Sequence, residues 1–205
     1  MSTSLEDVFL NCPFDEAYKS SFEAVLFTVT ASGYRVRCAL EENDAGDVRF
    51  DKLCRLIRES GKSIHDLSRT DLSAAGFPRF NMPFELGLFM GANRFGGPAQ
   101  RKKSALIMIN ETYKLPIYLS DLSGNDPQSH HGNPAEIFRI VRKYLHVRPD
   151  GKPLPGATRV MEEFDRFKTS LPALAAALEL TPNEIDPYHD YRDYIGLLTE
   201  FLRQA

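Results

Sequence analysis

The chain has 205 residues, which fits one domain with room for a small appendage and allows a large core without covalent staples. Hydrophobic residues make up 42% and charged ones 26%, an ordinary globular balance. The net charge of −3, with Lys and Arg scattered, argues against a surface that coats nucleic acid while leaving room for a local basic patch.

Residues 7–12, DVFLNC, form a short apolar run that ends at Pro13 and predict a buried strand. A helix is expected from about Glu16 to Ser32, with Phe22, Val25, Leu26 and Val29 at helical spacing and Gly33 as its stop. Residues 34–40 predict a second strand, followed by the polar loop EENDAGD. Phe50, Leu53, Cys54 and Ile57 mark the expected inner face of a second helix. After Gly61, residues 62–66 predict a third strand, and the loop SRTDLSAAGFPRF leads on. The next helix is expected over about residues 82–93, with Asn81 as its cap and Pro83 in its first turn. KSALIMIN, residues 103–110, is nearly all apolar, as a central parallel strand covered on both faces should be. Residues 112–126 are ambiguous, and a fifth strand is expected between 115 and 131. Asn133, Pro134 and Glu136 then open a helix whose buried face carries Ile137, Ile140, Val141 and Tyr144.

Strands alternating with helices predict right-handed βαβ units and a parallel sheet of about five strands, an α/β three-layer architecture. RPDGKPLPG, residues 148–156, reads as a linker, so the chain divides into an α/β domain over 1–147 and a linker plus helical extension over 148–205. The extension shows apolar faces at Val160, Phe164 and Phe167, at Leu171, Leu174 and Leu178, and at Ile195, Leu198 and Leu202. Thr181 and Glu184 have the spacing of a capping box. These faces either pack back on the sheet domain, which is the favoured reading, or offer a surface to a partner or another copy.

In an open parallel sheet, ligands bind outside the carboxyl ends of the strands. That rule selects Asn11, Cys12, Pro13 and Phe14 after the first strand, Leu40, Glu41 and Glu42 after the second, Asp66, Ser68 and Arg69 after the third, and Asn110 and Glu111 after the fourth. The loop after the third strand leads into the helix bearing Glu85, placed in that helix's first turn among apolar neighbours. There it either stabilises the helix through the macrodipole or is a carboxylate in an apolar pocket. Asp66 and Arg69 either pair with each other or hold a ligand's hydroxyls or phosphate, for which the planar guanidinium is suited. Asn11 either bonds to the turn at Pro13 or faces a ligand, and Phe14 is core or ligand-facing.

His130 and His131 lack the spacing of a metal site, and no metal is expected. GxGxxG, GxxxxGK[ST] and GxSxG are absent, which disfavours a dinucleotide fingerprint, a P-loop and a Ser-His-Asp hydrolase. Cys12, Cys38 and Cys54 are odd in number and form no CxxC pair, so reduced, buried thiols are expected. The start MSTSLEDVFLNC shows no basic region followed by a long apolar run, and no stretch approaches the ~20 apolar residues of a membrane span. A cytoplasmic protein with no membrane partner is the expectation, and a nucleic-acid partner is not expected.

The segments VFLNCPFDE, IHDLSRT and FNMPFELGLFMGA, in that order, resemble the nucleoside 2-deoxyribosyltransferase-like and TIR-like group of flavodoxin-like domains over about residues 6–147. The chain differs from that group in carrying PRFNMP before its Glu and in having no Trp. The resemblance implies that the Glu of FELG, Glu85, is the catalytic carboxylate. It implies that Pro13 and Phe14 match the group's first-strand turn, and that Asp66 and Ser68 match its ribose-contacting strand end. Arg69 would then meet a phosphate, Phe14 or Phe80 would stack on a base, and Asn11 and Asn81 would complete the substrate site. The implied chemistry is cleavage of a bond between a ribose and a base, with NAD cleavage leading and a nucleoside or nucleotide as the alternative substrate. No cofactor is implied, because NAD enters as substrate, and the closest branch is that of bacterial TIR-like defence proteins. Two alternatives stand beside it: a non-catalytic module that binds a nucleotide signal, and a module that assembles with its own kind as a homo-oligomer.

Overall fold

The computed structural model describes residues 3–41, 46, 48–69, 79–111, 117–122 and 124–204. The loops EENDAGD and SRTDLSAAGFPRF, and the first part of the ambiguous stretch 112–126, fall largely outside the described residues. β1 (Ser4–Asn11), β2 (Arg35–Arg37), β3 (Ser60–Asp66), β4 (Ser104–Ile109) and β5 (Gln128–Ser129) form one sheet in the order β2-β1-β3-β4-β5. Every pairing is parallel. This is the flavodoxin-like order, with its reversal between β1 and β3.

Strand alternation sorts the core. Val8, Leu10, Ile64, Leu106 and Met108 face α1 (Lys19–Ala31) and α4 (Pro134–Leu145). Phe9, Ile107 and Ile109 face the other way, toward α2 (Arg49–Glu59) and α3 (Asn81–Phe95). Both faces are thus covered, which is why these strands read as continuous apolar runs. Gly33, at φ +81°, ends α1 in a left-handed turn closed by Tyr34 N–H to Val29 O. Asn133 caps α4 by accepting from Ala135 N–H, with Pro134 at the first helical position.

The extension packs back. α5 (Ala157–Ala177) and α6 (Tyr191–Gln204) bury Val160, Phe167, Leu171, Tyr194, Leu197 and Leu198 in the cluster that holds α1 and α4. A chain of ring contacts runs from Phe27 and Phe138 through Phe164 and Phe167 to Tyr194 and Phe201. Lys168 of α5 also pairs with Glu23, a nearly buried acid of α1. Among the described residues no helix is long and apolar enough to cross a membrane.

Four local expectations change. Residues 16–18 form a 3-10 turn, so α1 starts at Lys19. Phe50 is exposed, its ring meeting that of Phe84, which is also exposed; the buried face of α2 is Leu56 and Ile57. Asn81 lies inside α3 and no side chain caps that helix. Thr181 donates its N–H and its hydroxyl to the Glu184 carboxylate, but Glu184 N–H bonds the Thr181 carbonyl rather than its hydroxyl, so the capping box is incomplete and only a turn follows, with Pro187 blocking helix growth. Cys12 and Cys38 are buried and Cys54 is half-buried; all three are free thiols.

Candidate active site at the strand tips

A hollow of about 310 Å³ opens at the C-terminal tips of β1 and β2. Phe14 borders it after β1, Ala39 and Leu40 after β2, Arg49, Lys52, Leu53 and Leu56 on α2, and Glu85 on α3. Larger hollows of about 580, 630 and 730 Å³ lie against α5 and α6, along the outer side of α3, and at the N-terminal ends of β1 and β2. The sheet's geometry favours the first, the one that gathers strand tips.

Glu85 is half-buried and opens into this hollow. Because α3 begins at Asn81, Glu85 is its fifth residue, past the first turn where it was expected. The macrodipole falls off within that turn, so helix stabilisation no longer accounts for the residue. Burial pushes its carboxyl up to about 7, against the opposing pull of the Arg49 guanidinium. No ion pair consumes it among the described residues.

The extension braces the walls of the hollow. Phe14 packs edge-on against Phe22 and Tyr188, at centroid distances of 5.5 and 6.3 Å, and Tyr188 stacks on Phe22 at 5.1 Å. The Tyr188 hydroxyl donates to the Asp15 carbonyl, Lys19 pairs with Asp186, and Arg192 Nε donates to the Glu41 carbonyl. The segment 186–192 therefore grips both loops that border the hollow.

Asp66 faces the opposite side of the sheet. It is fully buried, and its carboxylate accepts from the Tyr18 hydroxyl at 2.5 Å and from Ser68 N–H at 2.8 Å. Gly132 N–H donates to Nδ1 of His130, so the imidazole proton sits on Nε2, which faces Asp66 Oδ2 at 3.2 Å. Burial alone would raise this carboxyl, but His130, Ser68 and Tyr18 outweigh it and hold it below the ordinary carboxylate range. A depressed acid contributes stability that is present above the unfolded carboxylate's range and is lost as pH falls through the folded value. Asp66→Asn is therefore expected to lower stability by about 2–4 kcal/mol at pH 7, with the difference shrinking below about pH 4; denaturant unfolding at the two pH values checks this.

The other expected site residues divide between the two sides of β1. Phe14 joins Glu85 at the hollow. Asn11 is buried beneath it and bonds to His65 and to the Met82 carbonyl, and Pro13 is buried beside it. Ser68 and Arg69 lie on the Asp66 side; Arg69 and Arg79 converge on Asp15 at 3.4 and 3.0 Å. Phe80 and Asn81 are exposed at the start of α3. His130 is buried and His131 exposed. The Cys12 thiol, just past β1, is raised chiefly by burial and also by Cys38, Asp66, Glu85 and Asp15.

Comparison with known family models, curated proteins and solved structures gave no match.

Arg49 and Lys52 were not foreseen. They are three apart on α2, which brings them to one side of a helix. The helical spacing that places Phe50 with Leu53, Cys54 and Ile57 on an inner face conceals that signal in the sequence. The hollow thus combines an acid that is partly ionised at neutral pH, two cationic side chains and an aromatic ring. Such a set suits a ligand that is anionic at one end, flat at another and able to develop positive charge near a carboxylate.

Proposed function

We propose that this protein cleaves the N-glycosidic bond of a nucleotide-type substrate, NAD being the leading candidate, with Glu85 as the reacting carboxylate. The observation that carries the reading is the placement of Glu85 in a hollow at the strand tips beside Arg49, Lys52 and Phe14. Arg49 and Lys52 attract the phosphate, and Phe14 packs against the sugar or base. The bond between C1′ and the base nitrogen breaks, its electron pair leaves with the base, and the ionised Glu85 stabilises or captures the oxocarbenium-like carbon. Water then completes a hydrolysis, or another base completes a transfer. Asp66 takes a bracing role in this reading, since its oxygens are already engaged by Tyr18 and Ser68.

Incubating the purified protein with NAD, and separately with nucleosides and deoxynucleosides, tests the reading by chromatography of released base. Release is expected to rise with pH to a plateau above about 7, as Glu85 ionises. A second reading, a module that binds a nucleotide signal, is favoured by the grip of Tyr188 and Arg192 on the loops around the hollow, which couples occupancy to the extension. A melting temperature that rises with nucleotide, without any released base, selects that reading instead.

A further inference from the structure

Asn11 and His65 are register partners on β1 and β3, and both face α3. Asn11 Nδ2 lies 2.8 Å from the Met82 carbonyl oxygen and 2.9 Å from Nδ1 of His65. A carbonyl oxygen only accepts, so the amide nitrogen, and not the amide oxygen, must face it. Nδ1 of His65 then accepts the second amide hydrogen, which leaves the imidazole neutral with its proton on Nε2. The ring is fully buried, edge-on to Phe9 and Phe89, and Nε2 has no partner among the described residues. An unpartnered buried N–H lowers stability, and an apolar side chain of similar size would avoid that loss. What the imidazole supplies in return is the acceptor that holds Asn11.

Asn11 in turn holds the first turn of α3. That helix has no side-chain cap. The Met82 carbonyl points along the helix toward the turn that carries Glu85 and Leu86. Met82, Leu86 and Phe89 anchor α3 by apolar packing, which is not directional, whereas the bond from Asn11 is. We infer that Asn11 and His65 are positioning residues for Glu85: the imidazole locks the amide, and the amide fixes the start of α3 so that the carboxyl stays aimed into the hollow. The inference rests on the reading of Glu85 as the reacting acid.

Titration of the Glu85 carboxyl by carbon-13 NMR, assigned with Glu85→Gln, is read beside base-release kinetics in His65→Leu, His65→Asn and Asn11→Leu. Arg49 and Lys52 on α2 and Cys12 just after β1, the charged and titratable groups around Glu85, stay in place in every variant. His65→Asn keeps an acceptor near the position of Nδ1, and His65→Leu removes it. His65→Leu and Asn11→Leu are expected to lower kcat about 100-fold with KM within about threefold, and to move the Glu85 titration toward the ordinary carboxylate range. His65→Asn is expected to keep both. A folded His65→Leu protein with unchanged kcat and unchanged titration overturns the inference. Should Asn11→Leu not fold, the two His65 variants decide. Should the wild type release no base, the proposed reaction falls; the titration still supports positioning if only His65→Leu moves it, and overturns it if neither variant does.

Discussion

Glu85→Gln is expected to reduce base release by about 1,000-fold or more and, at the same time, to raise the melting temperature in alkaline buffer. The first effect follows because Gln cannot carry the negative charge that meets the oxocarbenium-like carbon. The second follows from burial. The folded carboxyl titrates at about 7 against an ordinary value of 4.5, so folding favours the protonated form. Stability from this group is fully present below about pH 4.5 and is lost as pH rises through about 7. Gln is neutral throughout and keeps it. The full shift sets a ceiling of about 3 kcal/mol, and the half-exposed position reduces the expected gain to about 1–2 kcal/mol above pH 8. For a chain of this size that is a rise of roughly 2–8 °C, vanishing at pH 4.5 and below. Thermal unfolding at pH 4.5 and pH 8.5 reads it. A difference that is the same at both pH values would show that the acid is not perturbed, and active Glu85→Gln protein would end the proposed mechanism.

A chain ending at residue 147 is expected to aggregate or remain unfolded, although the linker composition of residues 148–156 suggests a boundary there. Truncation would expose the outer faces of α1 and α4, including Phe27 and Phe138, and would strip Glu23 of Lys168. Each large side chain returned to water forfeits about 1.5–3 kcal/mol, so a few of them equal the whole stability of a typical domain, about 5–15 kcal/mol. Phe167→Ala gives a graded version: the ring is fully buried between Phe27, Tyr194 and Phe201, and its loss is expected to cost about 3–5 kcal/mol. Denaturant unfolding of the variant and circular dichroism of the truncated chain check these. A soluble 1–147 fragment that unfolds cooperatively would show that the extension is a dispensable layer.

The architecture was legible because its strands are buried on both faces and its helices are strongly patterned. DVFLNC and KSALIMIN announce themselves by unbroken apolar runs, and Asn133-Pro134 by cap chemistry. β5 is only two residues long, too short for any periodicity to mark it. Glu85 was legible from its apolar neighbours and the FELG motif, but α3 starts one residue earlier than expected, without a side-chain cap, which carries Glu85 just past the first turn. Asp66 stands out in the sequence by its strand-end position and by its match to the resembled family's ribose-contacting strand end. The two-residue period of β3 already implied that Asp66 shares a face with Ile64, which packs toward α1, and not with His65. Arg49 and Lys52 stayed hidden because their meeting with Glu85 and Phe14 is a tertiary fact.

The neighbouring residues His65 and Asp66 send a neutral imidazole into one layer and a charged carboxylate into the other. Inserting or deleting a single residue upstream in β3 would exchange them, setting an anion between Phe9 and Phe89 and stranding the Tyr18 hydroxyl. Substitutions can be absorbed along this strand one at a time, but a change in its length is lethal to both layers at once, so natural variation here should proceed by replacement and never by indel.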